Sequence, residues 1–321
     1  MNSRRSFIKT VGTGAALSAF APQLLSGRDP DLKALQIGII GAENSHTIGF
    51  GRMFNTDKKF PAAEVKYVWG ETDAFAKNAA EKGNIPHIVK DPKEMLGKIN
   101  ALIVDHRHAQ YHLEAATPFI KAGIPTFVDK PFCYRASEGE KFLELARELG
   151  TPVTSYSSIA QSAATFDMKK QLASMENIRQ VVRTGPVDMD SKYGGIFFYG
   201  VHIVQPLIYM FGEDIERVRI TRNGKNGSAN LVYKNGLFAT LIFKDTGGWE
   251  TYVETEDGLT ELTSRVEEAD PALCYTDMVE MFRTGEEPRS HQSILNCVRV
   301  LEALEKSVSS QNWEEVGIKN S

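Results

Sequence analysis

The chain has 321 residues, 42% hydrophobic and 24% charged, with a formal net charge of −4. This length suits two domains of ordinary size, and the composition excludes a disordered chain. No Lys/Arg-rich run occurs beyond the N-terminus, which argues against nucleic acid and against an anionic membrane surface as partners.

Residues 3–9 read Ser-Arg-Arg-Ser-Phe-Ile-Lys, and a Gly/Ala-rich apolar stretch follows from Val11 to Ala21. A charged start, a short apolar middle and small residues near a cut are the layout of a signal peptide. Arg4-Arg5, followed by Phe7-Ile8-Lys9, resembles the twin-arginine export signal. Residues 1–27 are therefore expected to be removed on export to the periplasm or beyond. The cut falls after Ala21, where Pro22 hinders it, or later, near Gly27. Losing Arg4, Arg5 and Lys9 takes the charge from −4 to −7. The apolar stretch is too short for a stable membrane span, so the mature protein is expected to be free of the membrane.

Ala34–Gly41 is a continuous apolar run ending in glycine, as expected of a central parallel strand. A helix over Thr47–Phe54, a strand over Glu64–Trp69, and an Ala-rich helix over Asp73–Lys82 closed by Gly83 follow. Pro92–Lys98 reads as a short helix, Ala101–Asp105 as a strand, Ala109–Ala122 as a helix closed by Gly123, and Thr126–Asp129 as a strand. Such alternation predicts a Rossmann-type doubly wound parallel sheet over residues 34–134. Ala136–Leu149 continues as a helix and Pro152–Tyr156 as a strand. The character then changes: Ile178–Val187, Ile215–Arg222, Ser228–Tyr233, Leu237–Lys244 and Trp249–Glu254 read as successive strands, with Asn235-Gly236 as a hairpin turn. Helices over Tyr275–Arg283 and Ser290–Ser309 end the chain. Residues 135–321 are thus expected to form an α+β domain with an open, mostly antiparallel, meander-like sheet. Its outward positions, taken as Leu231, Tyr233, Leu241 and Phe243, suggest a sheet-to-sheet partner. Cys133, Cys274 and Cys297 stand at no metal-ligand spacing and read as buried thiols.

A strand ending in glycine and leading into a helix is where a dinucleotide pyrophosphate rests. The usual fingerprint is G-x-G-x-x-G; here the turn reads Gly41-Ala42-Glu43-Asn44-Ser45-His46. Only the first glycine is kept. Glu43 and His46 replace the others, and Glu43 must turn away from phosphate or bind a ribose hydroxyl. Asn44 and Ser45 can cap the helix. After the second strand Glu71 is the candidate ribose acceptor and Asp73 the reserve; either acid also suits a solvated helix start. No arginine follows that strand, which favours NAD mildly over NADP.

Further stretches occur in a telling order: Ile103–His112, Ala122-Gly123-Ile124-Pro125 leading to Asp129-Lys130-Pro131-Phe132, Gly194-Gly195 before Gly200-Val201-His202, an apolar helix ending Phe211-Gly212, and Glu302-Ala303…Ser307. From about Leu35 to the end the chain resembles the glucose–fructose oxidoreductase, inositol dehydrogenase and rhizopine catabolism (Gfo/Idh/MocA) family. The resemblance implies that Lys130 touches nicotinamide and a substrate hydroxyl, with Asp129 standing for the family's Glu. It implies that His202 is the general base of a motif whose acid is here Phe198, with Tyr199 or Tyr193 supplying a hydroxyl instead. It also implies NAD or NADP as cofactor, a carbohydrate-like substrate, and a homodimer or homotetramer formed through the second sheet.

The loop Asp105-His106-Arg107-His108 with His112 offers His-x-His spacing suited to a divalent ion. The resemblance instead lays it along the cofactor, with His106 and His112 as cofactor-side residues and no metal. Three functions stay open: an exported oxidoreductase acting on a sugar, cyclitol or derivative; an enzyme that breaks a glycosidic bond through transient oxidation by held NAD; and a sugar-binding protein with a degenerate nucleotide site.

Overall fold

The computed structural model describes residues 32–267 and 270–317; the expected signal peptide lies outside them. Its first sheet comprises β1 (Leu35–Ile40), β2 (Ala63–Trp69), β3 (His87–Ile88), β4 (Ala101–Val104), β5 (Thr126–Val128) and β6 (Val153–Thr154). All pairings are parallel, in the order β3-β2-β1-β4-β5-β6. This is the Rossmann order, whose reversal between β1 and β4 opens a crevice at the carboxyl ends of the strands. β4 and β5 are buried along their whole length, which explains their unbroken apolar sequences.

Helices α1 (Ser45–Gly51), α2 (Asp73–Gly83), α3 (His112–Lys121) and α4 (Ala136–Glu148) connect these strands. α1 gives way to a π-turn at Arg52–Thr56. Gly83 does not close α2 as the sequence suggested. It lies inside the helix, where a side chain on the facing Gly51 would meet its backbone. Asn84, left-handed at φ 53°, closes the helix instead.

A helix that the sequence did not announce, α5 (Ala163–Leu172), leads to the second sheet. That sheet contains β7 (Gln180–Pro186), β8 (Ile215–Asn223), β9 (Asn226–Tyr233), β10 (Phe238–Lys244), β11 (Glu250–Thr255), β12 (Gly258–Glu261) and β13 (Glu314–Glu315). Its order is β12-β11-β7-β10-β9-β8-β13. β7 is inserted between β11 and β10 and runs parallel to β10, so the sheet is mixed and mostly antiparallel, not a simple meander. The β9–β10 hairpin turns at Asn235-Gly236, with Gly236 at φ 90°.

Helices α6 (Phe197–Phe211) and α8 (His291–Ser310) belong to the core that covers one face of this sheet. Leu231, Tyr233, Leu241 and Phe243 lie on that face, all below a tenth exposed, so they are not outward positions. Strand alternation fixes which residues share a face, but not which face the chain's own helices take. Val232, Thr240, Ile242 and Tyr252 occupy the other face. Helix α7 (Thr276–Thr284) returns to the first sheet, placing Met278, Val279, Met281 and Phe282 in one cluster with Leu35, Ile37, Phe50 and Phe127. No helix among the described residues is long and apolar enough to cross a membrane.

Candidate active site

The retained Gly41 is held at φ +109°, and a Cβ there would lie 2.5 Å from the backbone of Asp105 and His106. Its role is the close approach of the first turn to the end of β4. Asn44 caps α1, its Oδ1 accepting from His46 N–H at 3.3 Å, while Ser45 is exposed. Asn44 Nδ2 donates to Asp105 Oδ1 at 2.8 Å and to Asp129 Oδ2 at 3.2 Å. Thr47 Oγ1 lies 2.8 Å from the Gly41 carbonyl and 2.6 Å from Asp105 Oδ2. Asn44, Thr47 and His46, the last standing where the fingerprint has a glycine, thus form a polar network tying α1 to the ends of β4 and β5.

Asp105 and Asp129 are both buried. Burial, reinforced by the charge of Asp129, holds Asp105 well above the usual carboxylate range. Burial also works against charge on Asp129, but His46 at 3.1 Å and Lys130 at 3.8 Å outweigh it and hold that carboxyl low. Of the two, Asp105 is therefore the more readily protonated and Asp129 the more readily ionised. His46, Asp105 and Asp129 bring potential ligand atoms within 4.8 Å of one another, but Asn44, Thr47 and the His46–Asp129 contact already engage these groups.

Lys130 follows β5 with 8% exposure, its Nζ 5.6 Å from the Phe198 ring centroid. Phe198, where the family motif has an acid, also faces Arg107 at 5.3 Å. Its ring face lies within cation–π reach of both cations. His202 on α6 is buried, its Nδ1 2.7 Å from Ser157 Oγ, which accepts from Ile159 N–H. Burial, and then the charge of Lys130, pushes the His202 pKa well below its ordinary value, so the ring is neutral at pH 7. Tyr199 stands at the rim, 40% exposed, its ring 5.8 Å from that of His202.

Glu71 Oε2 accepts from the backbone N–H groups of Ala42 and Glu43, both at 2.9 Å, while its Oε1 is buried without a partner. An orphan acceptor after the second strand fits the ribose diol of NAD. Asp73 instead pairs with Lys90 at the surface. Glu43 turns away from the turn to accept from Tyr193 Oη at 2.7 Å. Tyr193 is fixed in turn, its carbonyl accepting from Tyr134 Oη at 2.7 Å. Gly194, at φ +96°, is required there because any Cβ would fall on the Tyr134 ring. His106 is buried and neutral, burial pulling its pKa down to about 3, and its Nδ1 has no partner. His112 works from behind: its fully buried ring places Nε2 2.8 Å from the His106 carbonyl and Nδ1 3.3 Å from that of Phe132. It pins the β4 and β5 loops and has no surface for a cofactor.

Residues 35–157 match the model of the oxidoreductase family with an NAD-binding Rossmann fold, GFO_IDH_MocA. Over those residues the chain is similar to the NAD-binding Rossmann domain of the Gfo/Idh/MocA oxidoreductases. It is 26% identical over 188 residues to the uncharacterized oxidoreductase YhhX of Escherichia coli K12, a match covering 53% of this chain and 54% of that protein, about half the length of each. Two solved structures share the whole fold. GenD2 from gentamicin A biosynthesis, in complex with NAD, superposes with TM-score 0.75 at 15% identity, over 90% of this chain and 97% of its own. The scyllo-inositol dehydrogenase of Lactobacillus casei, with bound NAD(H) and scyllo-inositol, gives 0.72 at 13%, over 88% and 99%.

Sequence reasoning missed several residues that build the site. Ser157, which orients His202, stands three residues beyond β6, at the strand edge where ligands gather. Asp105 was read as a strand end opening the histidine loop, and Thr47 only as a helix start. Arg183 and Trp249 gave no signal, since neither belongs to a motif.

Proposed function

We propose that the chain is an exported NAD-dependent oxidoreductase that interconverts a hydroxyl and a keto group on a sugar, cyclitol or derivative. The observation that carries this reading is a buried ammonium, Lys130, acting electrostatically on a buried neutral imidazole, His202, at the carboxyl edge of a Rossmann sheet. NAD, when bound, takes the hydride. Glu71 would hold its ribose, and His106, Asp129 and Lys130 would lie along it. His202 takes the hydroxyl proton at Nε2, with its Nδ1–H donating to Ser157 Oγ. Lys130 stabilises the charge that develops on the substrate oxygen. Scyllo-inositol in the Lactobacillus casei enzyme supports a polyol class, and Arg4-Arg5 supports export. The outer sheet face, with Ile242 41% exposed, supports a homo-oligomer.

The test is to purify the protein through its native export route, denature it, and look for released NAD by mass. A panel of sugars, cyclitols and their acid derivatives is then followed by NADH absorbance. Released NAD with NADH formation is the expected result. Glycoside cleavage with no net NADH would overturn simple oxidation. No dinucleotide, and no binding on titration, would leave a sugar-binding protein.

A further inference from the structure

Among the described residues, one buried cation on the second sheet has no acid paired with it. Arg183 on β7 is 1% exposed, on the sheet face covered by α6. Its Nη1 donates to Thr251 Oγ1 at 2.6 Å, and its Nε is buried with no acceptor. Burial alone lowers its pKa, to about 10, with no carboxylate counteracting it, so it remains a cation at neutral pH. Trp249 connects it to the chemistry: its ring lies over Gly185 of the same strand, 6.0 Å from the Arg183 guanidinium and 5.9 Å from the His202 ring. Phe198 places a neutral ring 5.3 Å from Arg107 and 5.6 Å from Lys130.

A buried guanidinium without a counter-ion is unfavourable, and its unpartnered Nε–H is a donor that an incoming anion would engage. We propose that the substrate carries a carboxylate received by Arg183 beside Trp249, so that the enzyme acts on a sugar acid or other hydroxy acid and not on a neutral polyol. This rests on the oxidoreductase reading above. A carboxylate suits the site better than a phosphate, because one guanidinium and an indole face provide one charge and one flat wall.

The test uses the NAD-loaded protein with gluconate and glucuronate against glucose and myo-inositol, and glucose 6-phosphate as the phosphate arm. Calorimetry reads binding, and NADH formation reads turnover. The acids should bind at least about tenfold more tightly than their neutral counterparts. Arg183→Met should abolish that preference without weakening neutral ligands, Arg183→Lys should keep part of it, and Arg183→Met should raise the Tm of the unliganded protein. Equal or tighter binding of neutral sugars by the wild type would overturn the proposal. So would an acid preference that survives Arg183→Met, or a variant of lower Tm that weakens both classes alike. Tighter glucose 6-phosphate binding would overturn the carboxylate assignment. Acid binding without turnover would sink the oxidoreductase reading and leave Arg183 as the anion receptor, whereas turnover of neutral polyols alone would do the reverse.

Discussion

Replacing Glu71 by Gln tests the cofactor site at a single atom. Oε2 is committed to two backbone N–H groups at 2.9 Å, and Oε1 is left for a ribose hydroxyl. In NADP a phosphate would stand where that hydroxyl hydrogen bonds. Two unit charges about 4 Å apart at an effective dielectric near 20 repel by about 4 kcal/mol. Glu71 is only half-buried, and salt screens part of this, so we take about 2 kcal/mol, roughly a 30-fold preference for NAD. Glu71→Gln keeps an oxygen for Ala42 and Glu43 while removing the charge. The expected result, read by tryptophan fluorescence titration with both dinucleotides, is that the NAD-to-NADP ratio falls to a few-fold, mainly because NADP binds better. The wild-type ratio should also shrink as salt is raised. An unchanged ratio in the variant would refute the placement of Glu71 against the ribose.

The acid limb of kcat/KM should lie below the ordinary His value, because burial and Lys130 depress the His202 pKa. Lys130→Met should lower kcat about 10²–10³-fold and move that limb to higher pH, since removing a cation favours the protonated ring; a limb that stays put or moves to lower pH would contradict the pairing. His106 and His202 both bind protons less readily folded than unfolded, so stability to urea should fall as pH drops below about 6.5. Gly194→Ala should cost about 2–4 kcal/mol in urea unfolding, because it combines positive-φ strain with displacement of the Tyr134 ring. A wild-type midpoint would show that Tyr134 does not hold the loop.

The Rossmann half was legible because its central strands β4 and β5 are buried along their length and Gly41 and Gly123 stand at real turns, as Asn235-Gly236 does in the second sheet. Lys130 and His202 were named through the family resemblance, and Glu71 through its place after the second strand. What stayed hidden depends on contacts between distant segments. Arg183 became visible only when β7 was paired with β11, which sets Thr251 beside it. The insertion of β7 beside β10 was equally invisible, since strand sequence carries no pairing order. Leu231 and Leu241 were assigned to the wrong face because alternation is symmetric until the covering helices are known. His112 has the residue type of a ligand, yet its environment makes it a strut, a distinction set by the carbonyls of His106 and Phe132.

Helix α7 has a bearing on biosynthesis. Leu35, Ile37 and Phe127 emerge early in synthesis, yet the surface that shields them includes Met278, Val279, Met281 and Phe282. A nascent chain halted before residue 276 would leave that patch wet and prone to association. Completion of the nucleotide-binding half is therefore tied to nearly full translation, so truncated products are expected to be unstable instead of persisting as a free half-protein.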